Sequence, residues 1–419
     1  MIRINWKTKV RSQANKHGSS TVFLVMVLSS MILLTIAFIQ VTIRVSGESI
    51  GQSVALLSGR SVLSEYDRNL KKEYGIFAFR GEPAALAAKM DYYEEPFFNE
   101  NPYYKLGDTT ANTSTYRLSN PLVFRDAITE YVLYAKSEDF LNQVLEKNYE
   151  SEGQEPKIPV YATGRVLRNK QIIESLPTYA LGEGPSLLDA VKSGLADWKD
   201  VFQNTSKTFL VNQYIMMVFK NAQKDIPARK TFFNYEAEYI LKGNFDDQQN
   251  KSIFRRDLLL LRNMINLGAI YADNQMRAQV LAAANVVSPG PASLATQILI
   301  AEAWALAEAE NDVRILEHGK KLPLQKTSAT WAIDIQSIID GTKSGFIDTK
   351  VNHGLDYQGY LQLFLYFENN TVKLTRMMDL MQINIQGNYD KSFLMNEHQV
   401  GMAYETEINY FKVLGETQY

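Results

Sequence analysis

The chain has 419 residues, 46% of them hydrophobic and 21% charged, a balance that supports a substantial buried core and excludes a disordered polymer. Its formal net charge of −2 removes the electrostatic case for nucleic-acid binding. The absence of cysteine excludes disulfides, thiolate metal sites and cysteine nucleophiles together.

Residues 1–18 read as a basic cytoplasmic leader: Arg3, Lys7, Lys9, Arg11 and Lys16 occur without one acidic residue, and the first carboxylate is Glu48. An uncharged apolar run then extends from Val22 to Ile39. At roughly 1.5 Å per helical residue it nearly fills a hydrocarbon core of about 30 Å, and residues 40–43 complete the span. The expectation is a transmembrane helix over 19–43, with the N-terminus cytoplasmic and everything after Arg44 outside the cell membrane. A cleaved signal peptide is the competing reading; the length of the run and the poor cleavage signal Val45-Ser46-Gly47 oppose it.

The same helix is expected to continue over 44–75 as a membrane-proximal stalk. Gly47, Gly51, Ala55 and Gly59 recur every fourth residue, which stacks small side chains on one face and predicts a helix-packing interface for a neighbouring helix. Leu56, Leu63, Tyr66, Leu70 and Tyr74 mark a second, apolar face for docking on the body. A flexible glycine linker is the alternative, and the continuing apolar stripe favours the helix. Gly75 is a C-cap, and a short strand follows it.

The segment 76–147 begins irregularly. Pro83, Pro96, Pro102 and Pro121, with the aromatic pairs Tyr92-Tyr93, Phe97-Phe98 and Tyr103-Tyr104, predict a loop over 81–120 whose rings either pack onto the body, the favoured reading, or form an exposed patch. A strand at 115–118 and a helix at 124–147 follow. The Glu-rich stretch 148–160, with Gly153, Pro156 and Pro159, reads as a loop or linker.

Residues 161–390 read as a helical body, with apolar spacing near 3.6 at 186–202, 209–222, 235–242, 252–272, 274–284, 292–310, 327–339, 357–366 and 371–386. None is a second span, because Arg262 interrupts 258–270 and the run 298–309 carries Glu302 and Glu308. In 391–419 the alternation of Val400, Met402, Tyr404, Thr406, Ile408 and Tyr410 predicts an antiparallel strand or hairpin, pairing with 75–79 and 115–118 beside the stalk. The fold class is therefore α+β and predominantly α-helical: a long N-terminal transmembrane helix, a small antiparallel sheet and a large helical extracytoplasmic domain.

The order of basic leader, Gly18, small residues and apolar helix resembles the type IV pilin-like proteins of tight-adherence (Tad, or Flp) pilus systems. Five pieces, "EYDRNLKKEYGIFAF" (65–79), "FRDAITEYVLYAK" (124–136), "FNYEAEYILKGNFDDQQN" (233–250), "GLDYQGYLQLFL" (354–365) and "TRMMDLMQINI" (375–385), resemble in the same order a large family of TadE-like, membrane-anchored proteins of Firmicutes linked to such loci. An absence of cysteine in an exported chain is a composition associated with Gram-positive bacteria. The resemblance implies leader cleavage between Gly18 and Ser19, the membrane and other pilus-assembly proteins as partners, and oligomers formed through the N-terminal helix. It implies a non-enzymatic minor pilin or pseudopilin in pilus assembly or adhesion; the alternative is a single-pass tethered binding module outside any filament. One departure stands out: such proteins carry Glu five residues after the cut, where this chain has Phe23.

Little in the chain suggests chemistry. His17, His318, His353 and His398 are not spaced as metal ligands, and Gly341-Thr342-Lys343-Ser344 lacks the spacing of a phosphate loop. Glu236 and Glu238, Asp246, Asp247 and Asn250, and Glu302 and Glu308 are the carboxylate groupings open to a hydrolase pair or a calcium site. Their expected role is structural, in ion pairs with residues such as Arg262 and Arg314. No catalytic residue, cofactor or metal site is expected.

Overall fold

The computed structural model describes residues 17–99, 101, 103–145, 166–180, 205–227, 229–342, 345–348, 351, 353–409 and 411–419. Along the chain the elements are α1 (His17–Leu63), α2 (Arg68–Tyr74), β1 (Phe79–Arg80), α3 (Pro83–Phe98), β2 (Leu106–Asn112), α4 (Pro121–Leu145), α5 (Lys170–Glu174), α6 (Thr205–Val218), α7 (Glu236–Lys242), α8 (Asp247–Ala272), α9 (Asn274–Val287), α10 (Ser293–Glu317), α11 (Ile335–Ile339), α12 (Tyr357–Phe367), α13 (Asn370–Asn388), β3 (His398–Gln399), β4 (Gly401–Ile408) and β5 (Phe411–Gln418). The chain is mostly helical with small antiparallel sheets, as its sequence predicts. The expected helix at 186–202, the linker at 148–160 and the leader up to residue 16 lie outside the described residues.

Two units share the chain. Among the described residues, the smaller takes those up to Ser64 with Glu82–Thr113 and Met402–Gln418; the larger takes Glu65–Gly81, Ser114–Gly401 and Tyr419.

In the smaller unit α1 is a single helix of 47 residues, long and apolar enough in its first half to cross a membrane. It stops earlier than the expected stalk. After Leu63 the chain turns, and Asp67 opens α2 by accepting a hydrogen bond from the Leu70 amide at 2.7 Å. Gly75 then closes α2 in the left-handed conformation, φ 70°, where a side chain would be strained. The expected loop at 81–120 is also corrected. Pro83 occupies the first helical position of α3, where its missing N–H costs nothing, and four alanines in the next five residues favour the helix, so Pro96 is carried in the last turn. Leu86, Met90, Glu94 and Phe98 form a buried row at four-residue spacing. The aromatic pairs divide: Phe98 and Tyr104 are buried, whereas Tyr92, Phe97 and Tyr103 are exposed.

Strand order in the three-stranded sheet is β2-β4-β5. β2 and β4 are antiparallel, with Thr109 opposite Thr406 and Ala111 opposite Tyr404. As predicted, Met402, Tyr404, Thr406 and Ile408 share the buried face of β4. β2 is the partner that the sequence missed.

In the larger unit β1 pairs with β3, Phe79 opposite Gln399. The 115–118 segment contributes a bridge from Arg117 to Gln399 and a hydrogen bond from the Leu118 amide to His398 O, at 2.8 Å, in place of a full strand. The core includes α13, buried from Val372 to Ile385 at every residue except Arg376, in one cluster with residues of α4, α6, α7, α8 and α12. A second cluster joins α9 to α10 through Val280, Ala284, Ile300 and Trp304. The predicted helix at 327–339 is instead a 3₁₀ turn, an extended stretch and the short α11. The reason is a competing acceptor: the Ala332 and Ile333 amides bind the Glu308 carboxylate, at 3.0 and 2.7 Å to its nearer oxygens, and the Trp304 indole donates to Ile333 O at 2.7 Å.

Candidate functional site

The small-residue stripe of α1 makes the close approach its spacing predicts, but to its own sheet. A Cβ on Gly47 would strike the Tyr104 ring, one on Gly51 would strike Ile408 and press on Val413, and one on Gly59 would press on Thr417 and Tyr404. Ala55 is buried between them. Tyr104 and residues of β4 and β5 lie against the three glycines, on the face where the spacing led to the expectation of a second molecule's helix. Of the predicted apolar face Leu63, Leu70 and Tyr74 are buried. Leu56 is exposed, and Val54, Ser58, Val62 and Leu63 are the residues turned inward. From Ser20 to Val45 nearly every residue of α1 is exposed, the large apolar ones included. The Gly18–Ser19 junction lies in the first helical turn.

Glu94 occupies a position in the apolar row of α3 that would suit leucine. Its side chain is fully buried; Thr406 on β4 donates to Oε1 at 3.3 Å, and Oε2 has no hydrogen-bond partner among the described residues. Burial pushes this carboxyl up to about 7, the nearby Asp91 adding to the rise and hydrogen bonds from Thr406 and Thr109 opposing it. The sign for stability follows from linkage: the contribution is complete below the ordinary glutamate value and is lost as the pH rises through about 7. Glu94→Gln, an isostere of the protonated acid, is expected to melt above the wild-type chain at pH 8 and with it at pH 5. Thermal unfolding of the full chain at both pH values checks this; equal melting at pH 8 would refute it.

The carboxylates of the larger unit that invited chemistry are held by the backbone. Glu236 accepts from the Lys220 amide at 3.0 Å and from Asn384 at 2.7 Å, and pairs with Arg229. Glu238 accepts from the Ala222 amide at 3.0 Å and the Tyr357 hydroxyl at 2.7 Å, and burial pushes it up to about 7. Asp246 caps α8 through the Gln248 and Gln249 amides. Asp247 receives the Asn234 and Tyr235 amides at 2.8 and 2.9 Å, and Asn250 clasps both backbone groups of Asn244. The stretch "FNYEAEYILKGNFDDQQN" is thus a set of side-chain staples, and the calcium alternative for Asp246, Asp247 and Asn250 loses its ligands to amides. Glu302 accepts from Asn263 at 2.7 Å. His398 is buried against Phe393 and Asp67, while His318 and His353 are exposed. Among the described residues no group of three or more His, Asp or Glu side chains is placed to hold a metal ion.

One network had no sequence signal beyond a charge in an apolar helix. Arg262 on α8 is completely buried and donates to Asp312 on α10 at 2.8 Å, to Pro323 O and Leu324 O at 3.1 and 2.8 Å, and to the Tyr360 hydroxyl at 2.8 Å. Lys326 joins Glu308 and Asp312 in the same buried cluster. Every polar arm ends on protein, which makes the network a clamp between α8, α10, α12 and the 322–326 segment. Two further buried groups lie on α13. Burial pushes Asp379 up to about 6, against hydrogen bonds from Thr178 and Tyr239, and lowers Lys373 to about 7, with Glu368 opposing.

A family model with the description "Family of unknown function (DUF5702)" matches residues 125–410, more than half of the chain. No curated protein and no solved structure shows significant similarity to it.

Proposed function

We propose a function for a chain that belongs to DUF5702, a family of unknown function: it is a non-enzymatic, pilin-like subunit, a minor pilin or pseudopilin, held in the cell membrane by α1. In this reading the basic N-terminus stays in the cytoplasm, α1 crosses the bilayer between about Ser20 and Ile43, and the chain beyond Arg44 lies outside the cell. One observation carries it. α1 is a single helix whose first half is apolar and exposed and whose second half lies beneath an antiparallel sheet, the division of labour of a subunit anchored by one end of a helix and shaped by the other. The engagement of Glu236, Glu238, Asp246 and Asp247 by backbone amides favours a structural over a catalytic use of the larger unit.

A second reading, a tethered binding module outside any filament, is favoured by Phe23, where the resemblance calls for Glu, and by the covering of the Gly47–Gly59 stripe with the chain's own strands. Intact mass of the protein purified from its native membrane separates the two. A chain that begins at Ser19, and reverts to full length when the prepilin peptidase is deleted, is the expected result. A chain that still begins at Met1 overturns the pilin reading and leaves the tethered module.

A further inference from the structure

We propose that the end of the smaller unit formed by Tyr103–Lys105 and the turn at Asn409 is a seat on the lipid bilayer, holding Tyr103 among the headgroups. This rests on the reading that α1 spans the membrane. The sheet fixes what lies at which height along α1. Tyr104 and Phe411 meet the helix at Gly47, Ile408 and Val413 meet it at Gly51, and Tyr404 and Thr417 meet it at Gly59. The loop before β2 and the turn between β4 and β5 therefore lie together at the lower end, where the apolar run of α1 stops.

Their height is set by a direct bond. The Tyr104 hydroxyl donates to Ile43 O at 3.2 Å, one residue before Arg44, the first charge after the run. Tyr103 beside it is 64% exposed, and Arg44 and Lys105 are exposed as well. An outward tyrosine with two cations at the boundary of an apolar helix is the composition that settles at a membrane interface: the ring enters the headgroup layer and the cations meet lipid phosphates.

The loop is also braced for the task. Asn409, with φ 55°, receives the Lys105 amide on its side-chain oxygen at 2.9 Å, donates from its side-chain nitrogen to Tyr103 O at 3.0 Å, and sends its own amide to Lys105 O at 2.9 Å. Three bonds from one residue fix the backbone at Tyr103 and Lys105, the segment from which the exposed Tyr103 ring projects.

The experiment uses the full chain in phosphatidylcholine–phosphatidylglycerol vesicles, and the lack of native cysteine makes single spin labels unambiguous. Labels go on Leu33→Cys, Tyr103→Cys and Glu416→Cys, all exposed positions, and depth is read from the relative access of oxygen and a water-soluble nickel complex. The expected pattern is hydrocarbon at 33, headgroup depth at 103 and water at 416, which lies near the Gly59 end of the helix. Water at 103 with hydrocarbon at 33 overturns the seat and leaves the anchor standing. Water at 33 overturns the anchor and the seat together. Lipid at 416 places the boundary elsewhere and also overturns the seat.

Discussion

Asp312→Ala is expected to destabilise the larger unit by about 3–5 kcal/mol, the usual cost of removing one partner from a buried ion pair. Asp312 is fully buried between two buried cations, Arg262 and Lys326, and its loss leaves the guanidinium without its carboxylate partner among the described residues. Glu308 still faces Lys326, so the damage falls mainly on Arg262 and on the Pro323 and Leu324 carbonyls it holds. Urea unfolding of the full chain, followed by tryptophan fluorescence, measures it, since the Trp304 and Trp331 rings lie 5.1 Å apart, tilted by 56°, beside this network. A loss under about 1 kcal/mol would mean that water reaches the site and shields the orphaned charge. Replacing Arg262 and Asp312 together by Met and Leu should recover most of the loss, because Lys326 keeps Glu308 and no buried charge then lacks its partner.

Gly354→Ala is the second large effect, expected at about 2–4 kcal/mol. Gly354 has φ 107°, a conformation that L side chains rarely adopt, and an added Cβ would strike the backbone carbonyl of Leu322. A rotamer change cannot relieve a clash with main chain. The pairing of Leu322 with Leu355, whose amide-to-carbonyl bonds measure 2.9 and 2.8 Å, must open. The same 322–324 segment supplies carbonyls to Arg262, so the two substitutions share a cause. Their combination should cost less than the sum of the two measured singly; strict additivity would show that the loop and the ion cluster are independent.

The parts of the fold legible in the sequence are those where one period dominates. Met402, Tyr404, Thr406 and Ile408 alternate without interruption, and β4 follows. Leu258, Leu261 and Ile265 keep helical spacing through α8, and a polar Arg262 between them was readable as a misfit. β2 was hidden because Gly107, Asp108 and Asn112 are poor strand formers, and the segment is held by its partner and not by its own preference. The break after Leu63 is hidden because Leu63, Leu70 and Tyr74 keep helical spacing across it, and only the cap residue Asp67 marks the new start. Trp331 and Ile335 suggested a helix that Glu308, more than twenty residues away, prevents.

The candidate site was less legible for the same reason. Spacing alone set Gly47, Gly51, Ala55 and Gly59 on one face, yet a four-residue period says nothing of whether strand or helix lies against it; side chains of β4 and β5 lie against the glycines. Glu94 had a readable sign in hindsight, an acid at the third place of the row Leu86, Met90, Glu94, Phe98. The threonines that meet it come from two strands far apart in the chain.

The covering of α1 by β4 and β5 also sets a clock. Contacts such as Gly51 with Ile408 close a loop across most of the chain, and such non-local pairing is slow to form. At about 5–20 residues per second, a ribosome needs roughly 20–70 s to traverse the about 350 residues between those partners. For that interval the helix exists without β4 and β5, and the face bearing Gly51 and Gly59 is bare. A nascent chain stalled anywhere before β4 would keep it bare, so completion of the smaller unit reports that nearly the whole polypeptide has been made.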